Sequence, residues 1–192
     1  MQRLGGACAA AATALLAGAL SAAGPAPEKL QICLACHGAE GQSKTEDVPS
    51  LGAEPSQYAL TQLFMFREGL RSVEPMTQLT KGWSDAELQQ VADFIAALPP
   101  PRPPDAPADP VRMAQARALV EQNHCNVCHR PNFSGQDNVP RIADQREDYL
   151  LKVLRDYKSG ARHGYDATMA EVLQPIDDAQ LAEFAYYLSH LR

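Results

Sequence analysis

The chain has 192 residues, of which 45% are hydrophobic, and a formal net charge of −6. This length suffices for one domain or two small ones. The acidic balance, with no basic stripe and no patch of basic residues interleaved with aromatic ones, excludes nucleic acid as a partner.

The first 23 residues have the pattern of a secretory signal peptide. Arg3 supplies the positive charge, and an uncharged run rich in Ala and Leu begins at Leu4. We expect cleavage near Ala23 and a location in the periplasm. The alternative is an uncleaved anchor on the periplasmic side of the inner membrane, because an uncharged run of twenty residues just spans a bilayer. No apolar run precedes Cys8, which makes it a poor candidate for lipid attachment.

Two copies of one pentapeptide follow, Cys-Leu-Ala-Cys-His at 33–37 and Cys-Asn-Val-Cys-His at 125–129. In each copy, two thiols three positions apart can form thioethers to the two vinyl groups of haem, and the next histidine turns back to ligate the iron. The motifs therefore predict two covalently bound haem c cofactors. The attachment and ligand residues are Cys33, Cys36, His37, Cys125, Cys128 and His129.

Cysteine pairs of this spacing also occur in zinc sites and in thioredoxin-type redox sites. Two pairs could together close a four-thiolate zinc site, but neither alternative needs the histidine that follows both pairs. A thioredoxin-type site also follows a strand in a βαβ unit, and no alternating β-branched run lies near either motif. Haem is therefore the predicted cofactor.

A proline-rich segment separates the motifs. Seven of the twelve residues at 99–110 are proline, a composition that excludes helix and favours a semi-rigid polyproline II spacer. We predict a first domain at 24–98, a linker at 99–110 and a second domain at 111–192. The first domain carries five basic and ten acidic residues, and the second carries ten and eleven. The acidic excess is either ordinary solvated surface or a surface that steers towards a basic partner.

The two halves repeat one another beyond the cysteines, which indicates duplication of one small domain. Three pairs recur at a spacing of 91 positions: Pro49 and Pro140, Tyr58 and Tyr149, Gly69 and Gly160. Two further pairs recur at a spacing of 93: Met76 and Met169, Ser84 and Asp177.

Helical periodicity is strong in both halves. Apolar residues at i, i+3, i+4, i+7 and i+10 predict a last helix over 88–98 and another over 181–191. Patterns of the capping-box type precede both helices. A middle helix is predicted around 60–64 and around 150–157, ending near Gly69 and Gly160, which suit the left-handed residue after a helix. Strand signals are scarce, so the predicted fold is all-α, with two tandem haem domains too small to be stable on their polypeptide core alone.

Met76 and Met169 are the predicted sixth ligands of the two irons. They occupy equivalent loops, 39 and 40 residues after the histidines of the two motifs. Met65 and Met113 fall within helical patterns and are expected to be packing residues. His163 is the alternative to Met169, although we expect it to be a surface histidine. Ligation by His and Met favours a high reduction potential and closes the iron to substrates, which suits electron transfer.

These features resemble those of class I cytochrome c domains: the CxxCH motif, a proline some twelve residues on, a middle helix ending near Gly, a methionine and a final amphipathic helix. Two such domains after a signal peptide resemble the di-haem cytochrome c4 family and the related cytochrome subunit of flavocytochrome c sulfide dehydrogenase. The resemblance covers almost all of the chain beyond the signal peptide, and it is especially clear over 149–169.

The resemblance implies thioethers at the four motif cysteines and the axial pairs His37/Met76 and His129/Met169. It also implies that the carbonyl groups of Pro49 and Pro140 accept the ring N–H of the axial histidines and fix their orientation. In the family, the two domains pack about a pseudo-twofold axis with the haems close enough for electrons to pass between them.

The function that follows is electron transfer by a periplasmic di-haem cytochrome, which is not an enzyme and has no small-molecule substrate. Its expected partners are redox proteins, such as a membrane oxidase or reductase or a flavoprotein dehydrogenase. The alternative is a haem electron-transfer subunit of a dehydrogenase complex such as a flavocytochrome c. An enzyme or gas sensor with an open iron, as in di-haem peroxidases, is a further possibility, although the chain is short for that class.

Overall fold

The computed structural model describes residues 28–163 and 167–191, and this part of the protein is helical. Its only β-structure is an isolated bridge between Gln136 and Val139, so the prediction of an all-α fold is confirmed. The expected signal peptide at 1–23 lies outside the described residues. Within the described ranges, no helix combines the length and apolar character that a membrane span requires.

Nine α-helices occur in the described part of the chain, four before the proline-rich segment and five from its end onwards. A 3₁₀ turn at Ala39–Gly41 follows the first of them. The helices are α1 Glu28–His37, α2 Ser56–Arg67, α3 Met76–Thr80, α4 Asp85–Ala97, α5 Pro110–Gln122, α6 Cys125–His129, α7 Glu147–Ser159, α8 Thr168–Leu173 and α9 Asp178–Ser189.

Each half has its own hydrophobic core. In the first half α2 packs on α4, and in the second half α9 packs on both α5 and α7. The predicted apolar stripes of the two last helices are confirmed, because their core-facing residues are buried. These residues are Leu88, Val91, Ala92 and Ile95 in α4, and Leu181, Phe184, Ala185 and Leu188 in α9.

The predicted helix ends are confirmed as well. Ser84 begins α4 with a complete capping box, in which its side chain accepts the N–H of Glu87. Asp177 and Gln180 form the corresponding box before α9. Gly160 ends α7 in the left-handed region, with φ of 75°, where a residue without Cβ is favoured.

The prediction that Met76 and Met169 lie in loops is wrong in detail. Met76 is the first residue of α3 and Met169 the second residue of α8. These helices have only five and six residues, too few to show a periodic apolar stripe in the sequence. Both methionines nevertheless lie in equivalent places, between the middle and last helices of their halves.

The proline-rich segment runs without helix until α5 begins at Pro110. It is held against the first half by the side chain of Gln42, whose Nε2 donates to Pro100 O at 3.1 Å and whose Oε1 accepts the N–H of Arg102 at 3.0 Å. Gly52 allows the close approach, because a Cβ there would lie 2.0 Å from Pro99 O. The segment is thus fixed to the first half along its first residues.

Candidate haem-binding sites

The histidine of the first motif is held by the loop that contains Pro49, which we call the proline loop of the first half. His37 ends α1, is 6% exposed and has its Nδ1 atom 2.8 Å from the carbonyl oxygen of Pro49. Because a carbonyl oxygen only accepts hydrogen bonds, Nδ1 carries the proton and Nε2 of the neutral ring keeps its lone pair. This tautomer presents Nε2 as the metal-ligating atom.

The second motif repeats this arrangement. His129 ends α6, is 5% exposed and has Nδ1 2.9 Å from the carbonyl oxygen of Pro140. Gly135, with φ of 72°, lets the loop turn tightly behind the proline, since a Cβ there would lie 2.5 Å from the carbonyl carbon of Pro140. The structure therefore places both predicted ligand histidines next to the prolines that the resemblance assigns to them.

Burial favours the ligating form of both histidines. Desolvation lowers the pKa of His37 and of His129, and the bonds to the proline carbonyls oppose this shift only partly. A neutral imidazole is the form that binds a metal. Both rings are therefore prepared for ligation near neutral pH.

The four motif cysteines form no disulfide, and one sulfur in each motif is more buried than the other. Cys33 is buried and Cys125 half-buried, whereas Cys36 and Cys128 are exposed. Desolvation raises the pKa of the Cys33 and Cys125 thiols. Within residues 28–163 and 167–191, no three His, Cys, Asp or Glu side chains converge as a metal cluster would. The four-thiolate zinc alternative therefore lacks its ligand set in this part of the chain.

The two candidate methionine ligands pack against the two cores. Met76 is partly buried against the first core and Met169 against the second. His163, the alternative to Met169, is exposed and lines an open groove of about 740 Å³ together with Leu60 and Phe64 of the first half. The surroundings thus favour Met169 over His163, and the ligand roles stay predictions.

Buried hydrogen-bond donors without a partner lie at the boundary between the halves, and they show whether the site suits a haem. The Nε atoms of Arg141, Arg146 and Arg162 are buried and have no hydrogen-bond partner in the described part of the chain. Buried guanidinium groups need acceptors, and carboxylates are their best partners. The propionate groups of a haem supply such carboxylates, so the residues present fit the cofactor.

The two halves meet through hydrogen bonds between the residue after the proline of one half and a residue just before the middle helix of the other. The side chain of Gln145 accepts the N–H of Ser50 and donates to its carbonyl oxygen, both at 2.8 Å. Glu54 Oε2 accepts the N–H of Arg141 at 3.0 Å. Glu54 and Gln145 are 91 positions apart, as are Ser50 and Arg141. The contacts therefore follow the same pseudo-twofold relation as the sequence repeat.

Comparisons with known proteins identify the family. A profile of the cytochrome c family matches residues 30–99 and 113–192. A cytochrome c4 from Pseudomonas aeruginosa is 30% identical over 182 residues, which are 89% of this chain and 88% of that protein. The chain belongs to the cytochrome c family, in its di-haem cytochrome c4 branch.

Two further comparisons agree with this assignment. The crystal structure of reduced recombinant cytochrome c4 from Pseudomonas stutzeri superposes with a TM-score of 0.75 at 26% identity, covering 85% of this chain and 95% of that one. A thiosulfate dehydrogenase electron acceptor from Thiomonas intermedia is 30% identical, covering 85% of this chain and 80% of that protein. The predicted tandem fold, the two covalent haem c groups and the electron-transfer function are therefore confirmed.

Sequence reasoning missed the boundary of this cytochrome c4. It did not single out Glu54, Gln145 or Arg162, because each is a common polar residue outside the haem motif. The repeat contained the signal that was needed, since the spacing of 91 positions aligns Glu54 with Gln145 and places both just before the middle helices.

Proposed function

We propose that this cytochrome c4 carries single electrons in the periplasm, with His37 and Met76 as the axial ligands of the first iron and His129 and Met169 as those of the second. The haems supply a one-electron couple between ferric and ferrous iron. The proposal rests on one observation made twice. Each motif histidine donates its Nδ1–H to a proline carbonyl, at 2.8 and 2.9 Å, which leaves Nε2 free to ligate.

The residues of the chain have distinct tasks in this proposal. The four motif cysteines hold the cofactor in place through thioethers, and the proline carbonyls fix the ring orientation and raise the basicity of each histidine. The partly buried methionines close the remaining iron position against exogenous ligands. Such a site changes little between oxidation states, which suits electron transfer better than catalysis.

The proposed location rests on the N-terminal sequence. An Arg followed by an uncharged apolar run is the pattern of a signal peptide. N-terminal sequencing of the protein purified from the periplasm tests this part. A mature chain that begins near Gly24 supports it, and recovery of the intact N-terminus in the membrane fraction supports the anchored alternative.

The iron ligands are tested by optical spectroscopy of the matured protein. We expect a pyridine haemochrome count of two and the near-infrared sulfur-to-iron charge-transfer band in the ferric form. Met76→Ala and Met169→Ala should each remove about half of that band and open one iron to carbon monoxide. The matched controls Met65→Leu and Met113→Leu should leave the band intact.

Two outcomes would contradict the ligand assignment. One is a wild-type protein without the methionine band. The other is loss of the band in a control variant instead of in Met76→Ala or Met169→Ala. A wild-type band of only half strength, with carbon monoxide binding to the second iron after replacement of His163 but not of Met169, would transfer the role from Met169 to that histidine.

A second candidate function is the haem subunit of a dehydrogenase complex. It is favoured by the 30% identity to the thiosulfate dehydrogenase electron acceptor of Thiomonas intermedia. The test is size-exclusion chromatography of a periplasmic extract, followed by haem absorbance and by thiosulfate-dependent haem reduction. Co-elution of both signals at a mass above that of the free cytochrome supports a subunit, whereas elution as the free cytochrome supports a diffusing carrier.

A further inference from the structure

One peptide group in each domain links the histidine of the haem motif to the opposite domain. In the first domain, the peptide between Pro49 and Ser50 accepts from His37 Nδ1 through its carbonyl oxygen, at 2.8 Å. Its N–H donates to Gln145 Oε1 of the second domain, also at 2.8 Å. The two hydrogen bonds lie on opposite sides of a single planar amide, whose polarisation couples them.

The second domain contains the reciprocal series of hydrogen bonds. The peptide between Pro140 and Arg141 accepts from His129 Nδ1 through its carbonyl oxygen, at 2.9 Å. Its N–H donates to Glu54 Oε2 of the first domain, at 3.0 Å. Each histidine is thus two hydrogen bonds and one amide away from a side chain of the other domain.

We propose that Glu54 and Gln145 are positioning residues that each tune the iron of the opposite domain, Glu54 through His129 and Gln145 through His37. This inference rests on the proposed ligation by the two histidines. An acceptor on the N–H side makes the carbonyl oxygen a stronger acceptor for the imidazole N–H. A stronger hydrogen bond from Nδ1–H to the carbonyl oxygen increases the electron density at Nε2. The imidazole then becomes a stronger electron-pair donor to iron, which favours the ferric state.

Burial protects both series of hydrogen bonds from competition by water. Ser50, Gln145 and Glu54 are 5%, 4% and 8% exposed. In a medium of low dielectric constant, hydrogen bonds are stronger and their polarisation is less screened. An exposed bond across the interface, such as that from Asp47 N–H to Asp148 Oδ2, is weaker, because water competes for its donor and acceptor.

The two series of hydrogen bonds differ in one respect. Glu54 contributes a carboxyl group to one of them, and Gln145 contributes an amide to the other. The groups that face Glu54 are the guanidinium groups of Arg141 and Arg162 and the phenol of Tyr58. Desolvation raises the pKa of Glu54 to about 8, and the two arginines oppose the shift only partly. The carboxyl group therefore titrates near physiological pH, whereas Gln145 has no charge at any pH.

The charge of Glu54 gives the second iron a dependence on pH that Gln145 cannot give the first. The carboxylate is a stronger acceptor than the neutral acid, so it favours ferric iron. When the second iron is reduced by one electron, Glu54 would hold a proton more tightly and take up a fraction of a proton from solvent, which it would release again on oxidation. A tenfold difference in proton affinity of Glu54 between the two iron states corresponds to about 59 mV in the potential.

The experiment uses the intact holoprotein with two reciprocal variants, Glu54→Gln and Gln145→Glu. Each introduces the residue found at the matching position of the other repeat and keeps an oxygen that can accept the peptide N–H. The readouts are the ring N–H resonances of His37 and His129 in the ferrous protein labelled with ¹⁵N-histidine, and the two midpoint potentials between about pH 6 and 9.

We expect Glu54→Gln to shift the His129 resonance, to leave that of His37 in place and to remove the pH dependence of one midpoint. The reciprocal variant Gln145→Glu should shift the His37 resonance and introduce pH dependence into the other midpoint. Resonances that do not move, or equal shifts of both histidines or both midpoints, would overturn the proposal. Failure of the proposed ligation is distinguishable, because it would already show in the wild type as the absence of two low-spin haems with the methionine band.

Discussion

Arg162 of the second domain donates a hydrogen bond to the hydroxyl oxygen of Tyr58 in the first domain, at 3.2 Å. The same guanidinium donates to Tyr149, the repeat counterpart of Tyr58, also at 3.2 Å. Arg162 is 7% exposed, so it joins two phenols of the pseudo-twofold pair inside the boundary. One buried cation thus connects the middle helices of both domains.

Replacement of Tyr58 by Phe should weaken the contact between the domains. The change keeps the ring but removes an acceptor from a buried cation, which costs about 2 kcal/mol for a hydrogen bond to a charged group. Urea denaturation of the holoprotein, followed by haem absorbance and by far-UV circular dichroism, measures the loss in the free energy of unfolding. Tyr187→Phe is the matched control, because that ring packs against Phe133 within the second domain. Equal effects of the two variants would argue against the role of Tyr58 at the boundary.

The haem motifs and the longer helices could be predicted from the sequence, because each depends on local spacing. Cys33, Cys36 and His37 lie within five residues, and the stripe of α4 repeats with the helical period. The helices α3 and α8 were missed because they are shorter than two turns. Met76 and Met169 were identified from the spacing between the two repeats, because the short helices that contain them show no helical periodicity in the sequence.

Gly135 offers a test of the second histidine loop. Its φ is 72°, and a Cβ there would lie 2.5 Å from the carbonyl oxygen of Val139. Gly135→Ala should displace the Pro140 carbonyl, lower the free energy of unfolding and alter the spectrum of the second haem only. Differential scanning calorimetry and the near-infrared spectrum measure these effects.

The control for Gly135→Ala is Gly160→Ala. Gly160 has a similar φ of 75°, but no atom lies within 4 Å of the added Cβ. Its variant therefore carries the cost of a left-handed alanine alone, about 1 kcal/mol. If Gly160→Ala is as damaging as Gly135→Ala, the clash with the proline loop is not the cause.

The boundary between the domains could not be predicted, since it depends on contacts about 90 positions apart in sequence. Gln145 contacts Ser50 and Glu54 contacts Arg141 across the boundary between the two domains. Nothing in the local sequence distinguishes these polar residues from those on the surface. The role proposed for them therefore depends on the peptide groups behind His37 and His129, which only the structure shows.

Gln42 is expected to control how closely the proline-rich segment follows the first domain. Its two hydrogen bonds to Pro100 and Arg102 are exposed, so the loss of stability in Gln42→Ala should be small. Amide hydrogen exchange at Arg102 should rise about fivefold, the factor for a bond of about 1 kcal/mol. Gln57→Ala, at an exposed position of α2, should leave that rate unchanged. An unchanged rate in Gln42→Ala would mean that the segment is held by other contacts.

The pH dependence of stability should change in Glu54→Gln. Desolvation raises the pKa of Glu54 from 4.5 to about 8. As the pH rises between these values, the unfolded chain ionises this group while the folded protein keeps its proton, so folding becomes less favourable. Each unit of difference between the two pKa values corresponds to about 1.4 kcal/mol at most. The variant, which has no proton to lose, should gain stability relative to the wild type with rising pH.

Urea denaturation of both holoproteins in steps between about pH 5 and 9 measures this difference. The gap in the free energy of unfolding should widen up to about pH 8, where folded Glu54 also ionises, and then stay constant. Glu46→Gln is the control, because that carboxyl is exposed and its removal should leave the wild-type curve unchanged. Parallel curves for the wild type and Glu54→Gln would show that Glu54 is ionised in the folded protein throughout this range, with Arg141 and Arg162 offsetting its desolvation.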